Sequence, residues 1–249
     1  MTRIADRFSE AADHYDDNAR VQPVVASHLA ARLAAWEGFR PQRILEIGCG
    51  TGGLSAHLLR IFPDAELVLS DISPSMLARC QHHIGDKPAY RQLDAQNLPP
   101  DLESFDLIVS SLALQWVEDL PSTLSHLIAL LNPGGRLAFA VLGNENFKEW
   151  SELLTHSGAP SGLHPYPSAG DFCWSEPYQG RIEQEFLQEQ HASGAMFLKS
   201  LKQIGAATPH AAHKPTPVSV MRRVLKASET GFRVSYHILY GELRKSDRD

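Results

Sequence analysis

A glycine-rich turn after a short apolar segment constrains the fold of this chain more than any other feature. Residues 44–53 read Ile-Leu-Glu-Ile-Gly-Cys-Gly-Thr-Gly-Gly, and a helix-like stretch, 54–62, follows directly. Glycine tolerates positive φ and has no Cβ, so the backbone can turn sharply and lie against a ligand. The N-terminus of the following helix offers free N–H groups and a positive dipole end to an anionic group. The segment therefore predicts a strand, a turn and a helix that together bind a nucleotide-type cofactor.

The composition is typical of one soluble globular domain. The 249 residues are 43% hydrophobic and 21% charged, with a formal net charge of −6, and leave little length for a second domain. The acidic balance argues against general nucleic-acid binding. No secretory signal and no apolar run of membrane-spanning length is visible, so we predict a cytoplasmic protein that does not insert into membranes. The three cysteines are widely spaced and include no Cys-x-x-Cys pair, so we expect neither disulfides nor a metal site.

The hydrophobic pattern predicts an α/β fold. Residues 3–16 and 25–36 have helical spacing, and after Pro41 strands alternate with helices. Near-continuous apolar strands separated by helices indicate a mostly parallel sheet covered on both faces. The Pro- and Gly-rich segment 156–180 is predicted to be a long functional loop. The predicted strands are 43–47, 66–71, 89–93, 105–111, 135–142 and 234–243, and the later helices are 53–62, 74–83, 121–131, 193–204 and 217–227.

The glycines alone leave the cofactor undecided. Gly48, Gly50 and Gly53 fit the dinucleotide fingerprint G-x-G-x-x-G, and Asp71 lies at about the distance expected for a ribose-binding acid. A nicotinamide dehydrogenase and an S-adenosylmethionine (SAM) enzyme both need such a turn and such an acid. Glu46 favours SAM, because a carboxylate can pair with the ammonium group of that cofactor but would repel a pyrophosphate.

Four spaced segments resemble the class I SAM-dependent methyltransferases. They are the glycine turn with its acid, 71–76 (Asp-Ile-Ser-Pro-Ser-Met), 93–95 (Leu-Asp-Ala) and 131–139, which contains a Pro-Gly-Gly turn. The resemblance implies that Asp71 binds both ribose hydroxyls, that Met76 covers the adenine and that Asp94 faces the exocyclic amine of the adenine. Each residue alone has an ordinary structural explanation, but the four segments together favour a cofactor site. The implied cofactor contacts are Glu46, Gly48, Gly50, Gly52, Asp71, Ile72, Met76, Asp94, Ala95 and Ser111.

Segments outside the cofactor motifs resemble a narrower family, the malonyl-acyl-carrier-protein methyltransferases of biotin synthesis. These segments are 7–22, 111–116, 198–206 and 235–241. Together they cover most of the chain, and the resemblance is poorest at 156–180 and 207–218. It implies a Rossmann-like α/β fold with a mostly parallel seven-stranded sheet, helices on both faces, an N-terminal helical lid and an insertion after strand five.

The resemblance also implies a single domain over 1–249. Its four predicted parts are the N-terminal helices or lid (1–40), the SAM-binding core (41–143), the insertion or lid with the sixth strand (144–205), and the C-terminal helix with the last strand (206–249).

The reaction that the resemblance implies is methyl transfer from SAM to the free carboxylate of a malonyl thioester. The acceptor would be malonyl-acyl carrier protein, or malonyl-CoA, and the methyl ester would start pimeloyl synthesis for biotin. Because a carboxyl group is already ionised at pH 7, we expect no general base. The enzyme has to align the reactants and exclude water. Tyr15 is predicted to close over the methyl group, and Gln115 and Trp116 are predicted to bound the acceptor pocket.

Other acceptor contacts stay open. Arg20 and Arg181 are both candidates for binding the carboxylate, and the sequence does not choose between them. Aromatic residues of the 156–180 loop are candidate pocket walls, although ordinary loop packing explains them equally well; they are Phe172, Trp174 and Tyr178. An acidic carrier protein favours a basic docking surface, for which the candidates are Lys199, Lys202, Lys214, Arg222, Arg223 and Lys226. His210 and His213 lack a third ligand, so we do not expect them to bind a metal.

Three other functions remain as alternatives. The first is another class I SAM-dependent methyltransferase that acts on a different carboxylate, a quinone or an amine. The second is a nicotinamide-dependent oxidoreductase. The third is a catalytically silent SAM-binding partner protein, which is disfavoured because Glu46, Asp71 and Asp94 are all present.

Overall fold

A seven-stranded sheet forms the centre of the molecule. The computed structural model describes residues 2–159, 162–174, 178–207 and 216–247. The strands have the order β3-β2-β1-β4-β5-β7-β6, and β7 is antiparallel to both of its neighbours while the other pairs are parallel. The prediction of a mostly parallel sheet is therefore confirmed. The strands are β1 (Arg43–Ile47), β2 (Glu66–Asp71), β3 (Ala89–Gln92), β4 (Phe105–Ser111), β5 (Leu131–Leu142), β6 (Tyr178–His191) and β7 (Phe232–Lys245).

Helices cover both faces of the sheet. Successive residues of a strand point to opposite faces, and Ile44 of β1 accordingly packs into one buried cluster while Leu45 packs into the other. The first cluster includes residues of α3 and α4, and the second includes residues of α6. The helices are α1 (Thr2–Ala11), α2 (Tyr15–Asn18), α3 (Val21–Ala34), α4 (Gly53–Ile61), α5 (Pro74–Ile84), α6 (Leu120–Ala129), α7 (Lys148–His156), α8 (Gly194–Gln203) and α9 (Val218–Ala227).

The strand order places a ligand site at one edge of the sheet. The order reverses between β1 and β4, which are neighbours in the sheet although β2 and β3 lie between them in the chain. Open α/β sheets bind ligands beyond the carboxyl ends of the strands at such a point. The glycine turn follows β1, and Ser111 ends β4, so both lie at this edge.

The N-terminal segment differs from the single helix predicted over 3–16. Helix α1 ends at Ala11, a 3₁₀ turn covers Ala12–His14, and α2 begins at Tyr15. The break has a tertiary cause: α1 packs against α5, and the turn then directs Tyr15 into the cleft beside the sheet. Amphipathic spacing alone carries no sign of this change in direction.

The region after β5 contains more regular structure than predicted. Helix α7 lies in a segment where no element was predicted, and β6 begins at Tyr178, inside the predicted loop 156–180. The described part of that loop, 162–174, is irregular except for a 3₁₀ turn at Ala169–Asp171. The division of the chain into four parts stays a prediction. No helix in the described ranges has the length and apolar character needed to cross a membrane.

Candidate active site

The glycine turn makes the backbone part of the wall of a cleft, hereafter the main cleft. Gly48 has φ 71° and Gly50 has φ 54°, values that glycine adopts without strain. A Cβ at position 48 would collide with the side chain of Ala113, whereas a Cβ at position 50 would meet nothing within 4 Å. Gly48 thus permits close packing against the chain after β4, and Gly50 leaves open space for a ligand.

Asp71 ties the glycine turn to the end of β2. Its Oδ2 accepts the backbone N–H of Gly50 at 2.9 Å, and its Oδ1 accepts the backbone N–H of Ser73 at 2.8 Å. Burial raises the pKa of this carboxyl group, and the backbone N–H donors oppose that shift. The carboxylate also lines the main cleft, where its remaining lone pairs can accept hydrogen bonds from hydroxyl groups.

The main cleft brings together most of the residues for which cofactor contacts were predicted. The space between its walls, including the part open to solvent, is about 790 Å³. Asp94 lines it and also caps a turn, because its carboxylate accepts the backbone N–H of Gln96 and the side-chain amide of Asn97. The predicted contacts that line it are Gly48, Gly50, Asp71, Ile72, Met76, Asp94, Ala95 and Ser111.

Two predicted contacts lie elsewhere. Glu46 lines a cavity that adjoins the main cleft and shares Tyr15, Gly48 and Gly50 with it, hereafter the Glu46 cavity. Gly52 lines neither space. It faces α5, where an added Cβ would lie 2.8 Å from Cγ1 of Ile84, so the structure gives it a packing role.

Glu46 is a buried acid with no basic partner among the residues that the structure describes. Its side chain is 1% exposed, and the hydroxyl of Ser55 donates a hydrogen bond of 2.6 Å to Oε2. Burial raises the pKa of Glu46 to about 7; Ser55 opposes the shift and the charge of Asp71 adds to it. No basic side chain of the described ranges is among the groups that set this pKa. A cation in the Glu46 cavity would therefore stabilise the ionised carboxylate.

The N-terminal segment closes the main cleft. Ile4, Phe8 and Tyr15 line the cleft from α1 and α2. Polar contacts fasten the segment to the core: Thr51 Oγ1 donates to Asp16 at 2.6 Å, Arg79 pairs with Asp13 at 3.1 Å, and the hydroxyls of Ser9 and Ser73 lie 2.8 Å apart. That this segment acts as a lid stays a prediction.

A second pocket, hereafter the aromatic pocket, opens beside Tyr15. Four of its residues also line the main cleft, and Tyr15 lines the Glu46 cavity as well. Among the described residues no Lys, Arg, Asp or Glu side chain lines this pocket. Burial raises the pKa of Tyr15, and the charge of Asp71 adds to the shift, so its phenol stays protonated. The pocket is lined by Phe8, Tyr15, Gln22, Leu112, Gln115, Trp116, Leu142, Phe147, Tyr166, Leu201, Ile204, Ala206 and Tyr236.

Comparison with known proteins identifies the family. Residues 45–137 match a family model described as a methyltransferase domain. A malonyl-[acyl-carrier protein] O-methyltransferase of Magnetococcus marinus is 40% identical over 99% of this chain and 94% of its own length. The chain belongs to the malonyl-[acyl-carrier protein] O-methyltransferase family. The resemblance stated from the sequence is thereby confirmed.

Further relatives agree with this family and with the fold. The biotin biosynthesis bifunctional protein BioCD of Bordetella avium is 40% identical over 97% of this chain, which spans 52% of that protein. Two solved structures share the fold, each at 16% identity and a TM-score of 0.60. YcgJ of Bacillus subtilis matches 88% of this chain and 99% of its own chain. The plantazolicin methyltransferase BpumL in complex with SAH matches 95% of this chain and 89% of its own chain.

The residues predicted to contact the acceptor in this member of the malonyl-[acyl-carrier protein] O-methyltransferase family lie in different places. Gln115 and Trp116 line the aromatic pocket, and their role at the acceptor stays a prediction. Arg181 pairs with Glu242 at 3.0 Å and lies outside the pocket. Arg20 is 72% exposed and lies 3.8 Å from Glu189, so neither arginine lines the pocket.

The three aromatic residues of the loop occupy another place. A groove along α6 contains them together with Gln115 and Tyr166, which also line the aromatic pocket. They therefore do not wall the aromatic pocket itself; they are Phe172, Trp174 and Tyr178. Lys214, His210 and His213 lie outside the described residues. No cluster of metal-binding side chains was found in the described part of the chain.

Several pocket residues were missed at the level of sequence. Leu112 lies within the motif after β4, Gln22 within the N-terminal resemblance and Tyr236 within the C-terminal one, so these motifs could have suggested them. Tyr166 belongs to the segment where the resemblance is poorest. Only the fold brings it beside Gln115.

Proposed function

We propose that this chain transfers the methyl group of SAM to the free carboxylate of a malonyl thioester on acyl carrier protein, the step that begins pimeloyl synthesis for biotin. The observation that carries the proposal is the junction at Tyr15. This residue lines the main cleft, the adjoining cavity with the buried acid Glu46, and a pocket that no charged side chain of the described ranges lines. Membership of the malonyl-[acyl-carrier protein] O-methyltransferase family supports the assignment of acceptor.

The residues around the main cleft fit SAM. Asp71 can accept hydrogen bonds from two ribose hydroxyls, and the buried side chain of Met76 offers an apolar face to the adenine. Glu46 has no cationic partner among the described residues, so an ammonium group in the adjoining cavity would complete its pairing. A diphosphate bridge would instead face two carboxylates, Glu46 and Asp71. When bound, SAM supplies a methyl group on a positively charged sulfur.

The aromatic pocket suits a reaction without a general base. A malonyl carboxylate is ionised at pH 7, so no proton has to be removed before it attacks. Burial raises the pKa of Tyr15, and raises that of Tyr166 to about 12. Both phenols therefore act as hydrogen-bond donors and not as bases. The apolar walls and the closed N-terminal segment exclude water, which would otherwise solvate the nucleophile.

Tyr15 is the residue to which we assign the placement of the reacting groups. It lines all three spaces, so a methyl group held at the end of the main cleft and a carboxylate held in the aromatic pocket meet at its ring. Alignment of reacting atoms at about 3–3.5 Å supplies much of the rate enhancement in such a transfer. Gln115 and Trp116 bound the acceptor side of the same junction.

A basic face beside the pocket supports a carrier protein as partner. Helices α8 and α9 pack together, and Leu201 and Ile204, at the C-terminal end of α8, line the aromatic pocket. An acidic carrier would be attracted to this side and repelled by the groove along α6, whose lining includes Glu118, Asp119 and Asp171. The exposed cations of the basic face are Lys199, Lys202, Arg222, Arg223 and Lys226.

An acceptor panel tests the proposal. Methyl-labelled SAM is incubated with the enzyme and malonyl-acyl carrier protein, malonyl-CoA, a quinone, an amine or a tricarboxylic acid. We expect base-labile label on the malonyl thioesters and the highest kcat/KM on the carrier-bound form. Label on another acceptor class, with none on either malonyl thioester, would overturn the proposal.

A further inference from the structure

Strained backbone is concentrated at the aromatic pocket. Two non-glycine residues of the described ranges have left-handed φ values, Leu112 at 51° and Phe147 at 56°, and both line this pocket. Such conformations persist only where the surrounding structure holds them, and they cluster at functional sites. The backbone N–H of Phe147 donates to Ser235 O at 2.8 Å, which anchors the strained turn to β7.

The residue before this turn carries an unused amide. Asn146 is 2% exposed, and neither its side-chain nitrogen nor its side-chain oxygen has a hydrogen-bond partner of standard geometry in the described structure. Burying an amide without a partner is costly, so native structures seldom retain one without a purpose. The neighbouring group is the phenol of Tyr166. The backbone N–H of Asn144 donates to Pro167 O at 2.9 Å, which holds the two segments together, and the Asn146 side chain opposes the rise in the pKa of Tyr166 that burial causes.

Tyr166 faces the end of the pocket that is remote from the cofactor. Tyr15 lines the aromatic pocket, the main cleft and the Glu46 cavity, whereas Tyr166 lines the aromatic pocket but neither of the other two spaces. The reacting carboxylate has to lie at Tyr15. In a malonyl thioester, the next polar atom along the acceptor is the thioester carbonyl oxygen, and it would extend towards Tyr166.

Two other polar side chains of the pocket already make hydrogen bonds. Gln115 Nε2 donates to Leu112 O at 2.7 Å, and the Tyr236 hydroxyl donates to Glu189 at 3.1 Å. A carbonyl oxygen enclosed by apolar walls needs a donor. The phenol of Tyr166 is the group best placed to supply it.

We propose that the Tyr166 hydroxyl donates a hydrogen bond to the thioester carbonyl of the acceptor, and that Asn146 is a positioning residue whose amide N–H donates to the Tyr166 oxygen. This inference rests on the proposed function and deepens it. Asn146 then turns the phenolic proton into the pocket. Tyr15 holds the carboxylate and Tyr166 holds the carbonyl. The fixed distance between these two residues then matches the spacing of the two groups in a three-carbon acyl chain and selects it.

A pair of acceptors isolates the hydrogen bond. One is a malonyl thioester, and the other is the carboxyethyl thioether of the same thiol, in which a methylene replaces the carbonyl. In the Tyr166→Phe variant, kcat/KM for the thioester should fall about tenfold, while kcat/KM for the thioether stays within about twofold. The ratio of kcat/KM for the thioester to kcat/KM for the thioether should therefore fall, because the variant no longer recognises the carbonyl.

Two further variants separate positioning from folding. Asn146→Leu should lower the same ratio, and adding it to Tyr166→Phe should lower the ratio no further, because Asn146 acts through the phenol. Tyr90→Phe, which removes a hydroxyl bonded to Gly85 O at the far edge of the sheet, is the control and should leave the ratio unchanged. SAM affinity and melting temperature report folding, and Tyr166→Phe carries the test alone if Asn146→Leu does not fold.

The outcomes are distinct. An equal loss on both acceptors in Tyr166→Phe, or no loss on either, would overturn the inference while leaving the proposed function intact. A wild-type enzyme that forms no methyl ester on any malonyl thioester would overturn the proposed function, and the inference with it.

Discussion

The Ser55 hydroxyl donates a hydrogen bond of 2.6 Å to Oε2 of Glu46. Ser55 belongs to the helix that follows the glycine turn, and Glu46 belongs to the strand that precedes it. The contact fastens the two ends of the turn together and leaves Glu46 with a neutral partner only, beside a cavity suited to a cation.

Cofactor affinity should depend on pH through Glu46. Its pKa is about 7, so an ammonium group that pairs with the carboxylate has to displace a proton at lower pH. SAM affinity should fall by up to about tenfold per pH unit between pH 7 and 5.5, where the cofactor amine stays charged. Titration calorimetry at several pH values checks this. Glu46→Gln should bind SAM weakly, with an affinity that does not change with pH. Ser55→Ala should shift the pH dependence of SAM affinity to higher pH. A wild-type affinity that is independent of pH would contradict the account.

The same carboxylate should limit the stability of the ligand-free protein. Its pKa rises from 4.5 to about 7 on folding, so its contribution to stability is fully present below pH 4.5 and is lost as pH rises through 7. The loss amounts to roughly 3 kcal/mol. Glu46→Gln avoids it, so urea unfolding at pH 8 should show the variant to be more stable than the wild type, with a smaller difference at pH 5. Equal stabilities at pH 8 would show that Glu46 is not buried as described.

Much of the cofactor side could be predicted because its signals are local. Gly48 and Gly50 lie in the turn after β1, and Asp71 ends β2; parallel strands bring their carboxyl ends to one edge. Gly52, in the same turn, was also predicted to contact the cofactor, but it lines neither the main cleft nor the Glu46 cavity. Its contact is with Ile84 of α5, and nothing in the spacing of the glycines distinguishes a packing role from a ligand contact.

The acceptor side depends on contacts between distant parts of the chain. Tyr166, Phe147 and Tyr236 come from a loop, a strained turn and the last strand, and only the folded chain brings them into one pocket. The resemblance implied a sixth strand within 144–205, but for a related reason the hydrophobic pattern did not locate strand β6. It is rich in Glu and Gln, and its pairing with β7 determines its conformation more than its own hydrophobic pattern does.

Truncating Tyr15 should impair catalysis more than cofactor binding. Tyr15→Ala opens the junction between the main cleft and the aromatic pocket to water and removes the surface that aligns the reactants, so kcat should fall about 100-fold. Tyr15→Phe keeps the ring and should keep kcat within about tenfold of the wild type. Steady-state kinetics with saturating SAM measure both variants. A Tyr15→Ala enzyme with wild-type kcat would remove this residue from the proposed site.

The hydrogen bond between Thr51 and Asp16 should control exchange of the cofactor. It ties the N-terminal segment, the proposed lid, to the glycine turn at 2.6 Å, so Thr51→Val should raise the dissociation rate of SAM about fivefold. Stopped-flow displacement by a competing nucleoside measures the rate. Asp17→Ala is the matched control. It removes an exposed acid next to Asp16 on α2 and should leave the dissociation rate of SAM unchanged. Equal rates in Thr51→Val and wild type would show that this contact does not hold the lid.

Charge reversal on α9 should affect one acceptor selectively. Replacing Arg222 and Arg223 by Glu should raise KM for malonyl-acyl carrier protein about tenfold, because both cations lie on the proposed docking face. KM for malonyl-CoA and the affinity for SAM should change little. Arg60→Glu, which reverses one exposed charge on α4, is the control for charge reversal outside this face. A KM for the carrier protein that stays at the wild-type value would exclude this face.

Mass spectrometry of the carrier protein tests the central claim most directly. Malonyl-acyl carrier protein is incubated with SAM and the enzyme, and the released acyl-pantetheine fragment is sequenced by tandem mass spectrometry. The account predicts one added methyl group per carrier, located as an ester on the terminal carboxylate of the malonyl group. An unchanged mass, or a methyl group on the carrier polypeptide or on the α-carbon of the malonyl group, would contradict it.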